Sequence, residues 1–407
     1  MNYPRWIRVR QELDRKREEH PEKKVIDLLR SLPEGISIRR GDRLGITVGS
    51  RHISNLAGIT RAVVDHIQSN GGRPFLVPAM GSHGGATSEG QKKILEEYGF
   101  TEEGMGVPIL SSMEVVLLGE VEGIPIYFDK NAYESNGVVI INRVKPHQVF
   151  KGEIQSGLNK MLALGLGKKK GADAIHQSGR TDILGAIGDF IRSRAPILFG
   201  VAILENAYNE TRDIAVLPSE KFKEIDQKWV KESRALLPKI PFRKLDMVVV
   251  DEMGKDISGS GLDTNVIGFT RHIDHSGNVA VPLAVFDLTE KSGGNAIGVG
   301  LADFVTRRLI KKMDFQKTYT NVISTGIYSA GRIPMTFESE RDILTVVLKK
   351  IEAAEKARMV RIKNTLHLEE FLVTEALIPE AEKNDKLSLV GGLIATSFDD
   401  KGNLILS

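Results

Sequence analysis

The apolar positions of this chain follow two periods. Arg43–Val48 and Arg73–Pro78 read as strands, and residues 56–68 and 89–98 carry apolar side chains at helical spacing. Strand, helix, strand, helix at such intervals implies a parallel α/β sheet. Residues 115–129 add short extended segments. The run Val138-Val139-Ile140-Ile141-Asn142 has no polar face until its end, as expected of a strand deep in the sheet. The first 30 residues read as one charged helix. A charged helix within 219–240, ending in Leu237-Pro238-Lys239-Ile240-Pro241, marks a boundary. A second α/β pattern follows, with strands at 247–251 and 279–288, helices at 296–312 and 337–356, and short closing strands. The pattern predicts two α/β domains with parallel-type sheets, 1–240 and 241–407, with 385–407 returning to pack on the first.

Glycines gather at the ends of the predicted strands, at 81–85, 165–171, 259–261 and 292–300. Open α/β sheets bind ligands beyond the carboxyl ends of their strands. The clusters in both halves therefore predict an active site in an interdomain cleft.

With 407 residues, 41% hydrophobic, the chain can bury a large core. The 56 basic and 53 acidic residues nearly balance at +3, which gives no argument for nucleic acid or a membrane as partner. No apolar run reaches the roughly 18 residues of a membrane span. The densely charged first 19 residues lack the apolar stretch of a signal peptide, so a cytoplasmic protein is expected. There is no cysteine, which excludes thiolate nucleophiles, Cys-ligated iron–sulfur clusters and disulfides. A metal would need imidazole, carboxylate or a ligand that is not a protein side chain.

The segment from Asn142 to His176 carries the strongest chemical signal. Lys160 lies in the apolar run Leu158-Asn159-Lys160-Met161-Leu162-Ala163-Leu164, where an ammonium is costly to bury. A lysine held there beside imidazoles suggests a modified residue or a cofactor anchor. His147 follows the apolar strand through Arg143-Val144-Lys145-Pro146, and its basic neighbours suit an anion-facing acid or base. His176 comes after the basic stretch Lys168-Lys169-Lys170 and takes its interest from Lys160. His83 stands in Gly81-Ser82-His83-Gly84-Gly85, a loop where backbone can approach a ligand. Arg51, in Gly49-Ser50-Arg51-His52, could grip a carboxylate or phosphate bidentately, and Lys255 follows the first strand of the second half. His272 and His275 follow a glycine-rich loop. Glu205 and Asn206 form a polar pair without an evident role.

Taken alone, these residues leave three readings open: a modified-lysine enzyme, a zinc hydrolase or lyase using His83, His147 and His176, and a non-catalytic protein that binds an anionic metabolite. No His-x-x-x-His or His-x-His spacing pre-forms a zinc site.

The motifs resemble those of the nickel-dependent lactate racemases and related 2-hydroxyacid racemases and epimerases. They are Gly81-Ser82-His83, Pro146-His147 leading through Ser156-Gly157 to Lys160, His176 beyond the lysine, Arg51 in the first strand–helix loop and Lys255 in the second half. The resemblance implies a nickel-pincer nucleotide, a pyridinium-3,5-bisthiocarboxylic acid mononucleotide, joined covalently to Lys160. It further implies His176 as a nickel ligand, His83 and His147 as the acid–base pair, and Arg51 and Lys255 as carboxylate holders. The implied reaction inverts C2 of a 2-hydroxy acid by reversible hydride transfer. Implied partners are that substrate and the maturation proteins that make the cofactor, without which a purified sample would lack it. Thr47-Val48-Gly49-Ser50 and Gly157-Leu158-Asn159 depart from the pattern of the lactate enzymes. With the extra basic residues, they point to a substrate larger or more anionic than lactate, such as a sugar acid or malate.

Overall fold

The computed structural model describes residues 2–33, 35–147, 150–268 and 281–406. They divide into two compact units, one of residues 14–236 and one joining 1–13 to 237–407.

The 14–236 unit is built on a five-stranded sheet ordered Arg73–Pro78, Arg43–Val48, Gly137–Arg143, Ile197–Glu205, Thr211–Pro218. The first four run parallel and the last is antiparallel. Gly137–Arg143 explains its own apolar run. Val138 and Ile140 face a cluster with Phe150, Leu158, Leu162 and Leu184, while Val139 and Ile141 face Ile59, Val63 and Ile67 on the other side. A strand covered on both faces cannot alternate with polar residues. The chain steps from Arg43–Val48 outward to Arg73–Pro78, then crosses to Gly137–Arg143 on the opposite side, through the antiparallel hairpin of Val115–Val121 and Ile124–Asp129. In open α/β sheets such a reversal is where ligands bind, beyond the carboxyl ends of the strands.

The other unit carries an eight-stranded mixed sheet. Its order is Met335–Phe337, Phe304–Thr306, Leu283–Leu288, Met247–Met253, Met359–Ile362, Glu370–Thr374, Trp6–Gln11, Leu387–Ile394. Pairing is parallel through Met359–Ile362 and antiparallel beyond.

Three expected helices are corrected here. The first 30 residues are a strand, Trp6–Gln11, and a separate helix, Pro21–Arg30, which falls in the other unit. Trp6 and Val9 are fully buried, and the strand has hydrogen-bonded neighbours on both sides, which outweighs local helix propensity. Within 296–312 only Arg307–Lys312 is an α-helix, because Phe304–Thr306 gains parallel partners on both edges. Within 337–356 the helix is Glu340–Leu348, started by a capping box between Ser339 and Asp342. The closing strand Leu387–Ile394 pairs with Trp6–Gln11, inside the unit of residues 237–407. No helix among the described residues is long and apolar enough to cross a membrane.

Candidate active site

Arg51, His83, His147 and Glu205 each stand at or just past the carboxyl end of a strand of the five-stranded sheet, and parallel pairing puts those ends on one edge. Ser50 Oγ contacts His83 Nδ1, so the loop after Arg43–Val48 meets the loop after the edge strand Arg73–Pro78. The His83 loop is fixed from below. Gln91, fully buried on the helix Ser88–Glu97, donates to the carbonyls of Gly81 (2.9 Å) and His83 (3.3 Å). Gly84 has φ +66°, and a Cβ there would meet Gln91 N at 2.6 Å, so only glycine lets the loop lie on this helix.

Lys168 supports the same corner. Its side chain is fully buried, 3.0 Å from Asp129, and it donates to Pro78 O at 2.5 Å and Gln91 Oε1 at 3.4 Å. Burial raises the Asp129 pKa and lowers that of Lys168, so it opposes both charges and their contact offsets it. The sequence reading had placed Lys168 in a basic stretch. Its backbone is left-handed, with φ +52°, which turns it inward ahead of Lys169 and Lys170, which are exposed.

His147 is held by a pinned loop. Ser156 Oγ accepts from Lys145 N at 2.7 Å, and Gln155 Oε1 accepts from His147 N at 3.1 Å. The ring's Nδ1 accepts the Phe150 N–H at 3.2 Å, so the neutral imidazole carries its proton on Nε2. Burial, then the charges of Lys160, His176, Arg51 and Lys151, hold its pKa well below the usual histidine value.

Phe150, which sequence reading missed, is the hub. Its ring centroid lies 5.2 Å from that of His147, 6.0 Å from that of His176 and 5.8 Å from Lys160 Nζ. Lys160 ends the short helix Leu158–Lys160, which continues as a π-turn over Met161–Gly165. The Gly165 carbonyl accepts the Gly81 N–H at 3.1 Å, tying the lysine segment to the His83 loop. Lys160 makes no ion pair among the described residues. Lys160 is half-buried, and the protein around it, then Arg51 and Arg143, lowers its pKa to about 7. Arg51 retains accessible surface, yet the protein around it lowers its pKa, with Arg143 adding to the effect and Tyr98 opposing it. His176, also accessible, is lowered by its surroundings and by Lys160.

Glu205 acquires a role that the sequence did not reveal. It is buried, pairs with Arg143 Nη1, and accepts from Ser54 N at 2.9 Å. It thereby links the ends of two strands to the Arg51 loop. Asn206 is a turn residue, its Oδ1 accepting from Tyr208 N and Glu210 N.

The structure thus gathers Arg51, His83, His147, Lys160 and His176 in one unit. Lys255 belongs to the other unit, where its Nζ contacts Asn321 Oδ1 and its N–H donates to Ser292 Oγ at 2.9 Å. His272 and His275 lie outside the described residues. Among the described residues, no group of three or more His, Asp or Glu is arranged to hold a metal directly, so the zinc reading finds no ready site.

No family model matches the chain, and no curated protein does. Among solved structures, it is similar to the lactate racemase apoprotein from Thermoanaerobacterium thermosaccharolyticum. Identity is 11%, with a TM-score of 0.57 over 88% of this chain and 93% of that one. At that identity the likeness concerns the backbone arrangement: the chain is an α/β protein with a lactate racemase-like fold.

Proposed function

We propose that this protein is a racemase or epimerase of 2-hydroxy acids and that Lys160 anchors a nickel-pincer nucleotide. One observation carries the reading. A half-buried lysine without an ion-pair partner among the described residues lies near Arg51 and Arg143 and shares a phenylalanine with His147 and His176. An ammonium there is opposed by both burial and like charge, whereas an amide-type linkage removes the charge altogether. The residues therefore fit the group, with Lys160 as its attachment point and His176 as a ligand to its metal. In a chain without cysteine, the sulfur donors would come from the cofactor itself.

When bound, the nucleotide supplies an acceptor for the C2 hydride. The protein does the rest. Arg51 holds the substrate carboxylate as a bidentate donor. His83 and His147 manage the hydroxyl proton, and two imidazoles suit an enzyme that accepts both configurations. The pair is not equivalent. His147 must give up the Phe150 N–H to accept a proton through Nδ1, so in its neutral form it is better suited to orienting the substrate hydroxyl by a hydrogen bond from Nε2. His83 is paired with a hydroxyl that can donate or accept, which suits a base. Lys255 stays a candidate carboxylate holder, which the KM of a Lys255→Ala variant would test.

Peptide mass spectrometry with nickel analysis, on protein co-produced with cofactor maturation proteins, tests the proposal. An adduct on the Lys160 peptide with about one nickel per chain, followed by turnover of a 2-hydroxy acid, is expected. An unmodified Lys160 in that sample overturns it. Anion binding that survives His83→Ala and His147→Ala, with no turnover, would favour a binding protein instead.

A further inference from the structure

We infer that Asp226 is the positioning residue for Lys160: from the helix Phe222–Leu236, it clamps the start of the segment that carries the lysine. This deepens the proposed function, since it rests on Lys160 as the reactive centre, but its test needs neither cofactor nor substrate.

Asp226 is fully buried, on a helix face with Phe222, Trp229 and Val230. A carboxylate in such a place needs donors on both oxygens. Its Oδ1 accepts from Leu158 N at 3.0 Å, and its Oδ2 accepts from Asn159 N at 2.9 Å and Asn159 Nδ2 at 2.7 Å. Those are the two residues before Lys160. The segment has no local cap, because residue 157 is glycine with φ +88°. A Cβ at that position would lie 2.0 Å from Asp226 Oδ1, so glycine is what admits the remote carboxylate. A serine or aspartate at the cap would secure only the helix start. Asp226 also fixes where that start sits relative to the body of the unit.

Two further contacts complete the clamp. Arg192 Nη1 donates to Asn159 Oδ1 at 2.7 Å, and Asn142 Nδ2 donates to Gly157 O at 2.8 Å. Gly188 leaves room for the amide, since a Cβ there would meet Asn159 Oδ1 at 2.1 Å. The segment before Lys160 is therefore anchored to two helices and a strand. Lys160 itself has no ion pair among the described residues to set its direction, so the geometry of its amine is inherited from this anchorage. Burial pushes the Asp226 carboxyl up to about 7 in spite of its donors, which is a cost the fold carries for the contact.

The test is trace acylation of the full, cofactor-free chain with acetic anhydride. Peptide mass spectrometry reads Lys160 against the exposed Lys169 and Lys223 as internal standards. In the wild type, a half-buried amine with a pKa of about 7 is largely neutral near pH 7.5 and labels readily. Asp226→Asn puts an N–H donor against a backbone N–H. Once the clamp is loosened, Lys160 regains water and protonates, so its relative rate should fall by about fivefold or more while the chain still melts cooperatively. A rate within about twofold of wild type in the folded variant would overturn the inference. Should Asp226→Asn fail to fold, Gly157→Ala decides: its Cβ would lie 2.0 Å from Asp226 Oδ1 and displace the carboxylate from the segment, and an unchanged Lys160 rate in that folded variant likewise overturns the inference. A wild type that never takes up cofactor, together with slowed labelling in the variants, would remove the proposed function and leave this role standing.

Discussion

At the scale of single residues, the site is defined by charges that are hard to hydrate. Lys168 and Asp129 are both fully buried, and breaking such a pair leaves one charge without its partner. Lys168→Met should therefore destabilise the protein by about 3–5 kcal/mol, with Lys168→Met/Asp129→Leu less damaging than the single variant. Chemical denaturation of the three proteins measures the difference. His147 gives a pH dependence. Its pKa is depressed in the folded state, so the unfolded chain binds the proton more readily. The associated stability is complete above the unfolded histidine value and is lost as pH falls below it. Melting temperature should fall as pH drops through roughly 6.5, and His147→Gln should flatten part of that slope. An unchanged slope would mean that His147 is hydrated in solution.

At the scale of elements, two loops depend on the helices behind them. The His83 loop lies on Ser88–Glu97 through Gln91, whose buried amide serves two carbonyls of the loop and Lys168. Gln91→Leu leaves those groups unsatisfied and should cost about 1–3 kcal/mol. Hydrogen exchange should quicken in residues 81–85 before the sheet is affected; equal protection throughout would contradict this dependence. The Lys160 segment shows the same logic in reverse. A remote carboxylate replaces the local cap, and the π-turn after it returns the chain toward the Gly81 loop. Interruptions of this kind in a helix are often found at functional sites.

At the scale of the whole molecule, the chain's own order and its units differ. The strand Trp6–Gln11 is an interior strand of the sheet that also holds residues 247–394. Deleting residues 1–13 exposes two strand edges and removes the buried Trp6 and Val9. Calorimetry should then show loss of the transition belonging to the C-terminal unit, while the 14–236 unit, with its own two core clusters, keeps its transition. Retention of both transitions would show that the strand is dispensable.

What the sequence alone determined was local in origin. The strands Arg43–Val48 and Arg73–Pro78, the buried run ending at Asn142, and the glycine-framed His83 follow from periodicity and backbone freedom within a few residues. The misplaced lysine was legible for the same reason, because an ionisable group inside an apolar run is anomalous wherever the run folds. Tertiary structure alone decided the rest. Asp226 lies 67 residues from Asn159, and nothing near it in sequence distinguishes it from a solvated helix carboxylate. Lys168 and Lys169 are the same residue side by side, and only the folded backbone, left-handed at Lys168, sends one inward. Trp6–Gln11 looked helical until strands some 360 residues away supplied its hydrogen bonds. Burial and remote pairing are properties of the assembled chain. A sequence announces a charge, but only the fold decides whether water or another side chain answers it.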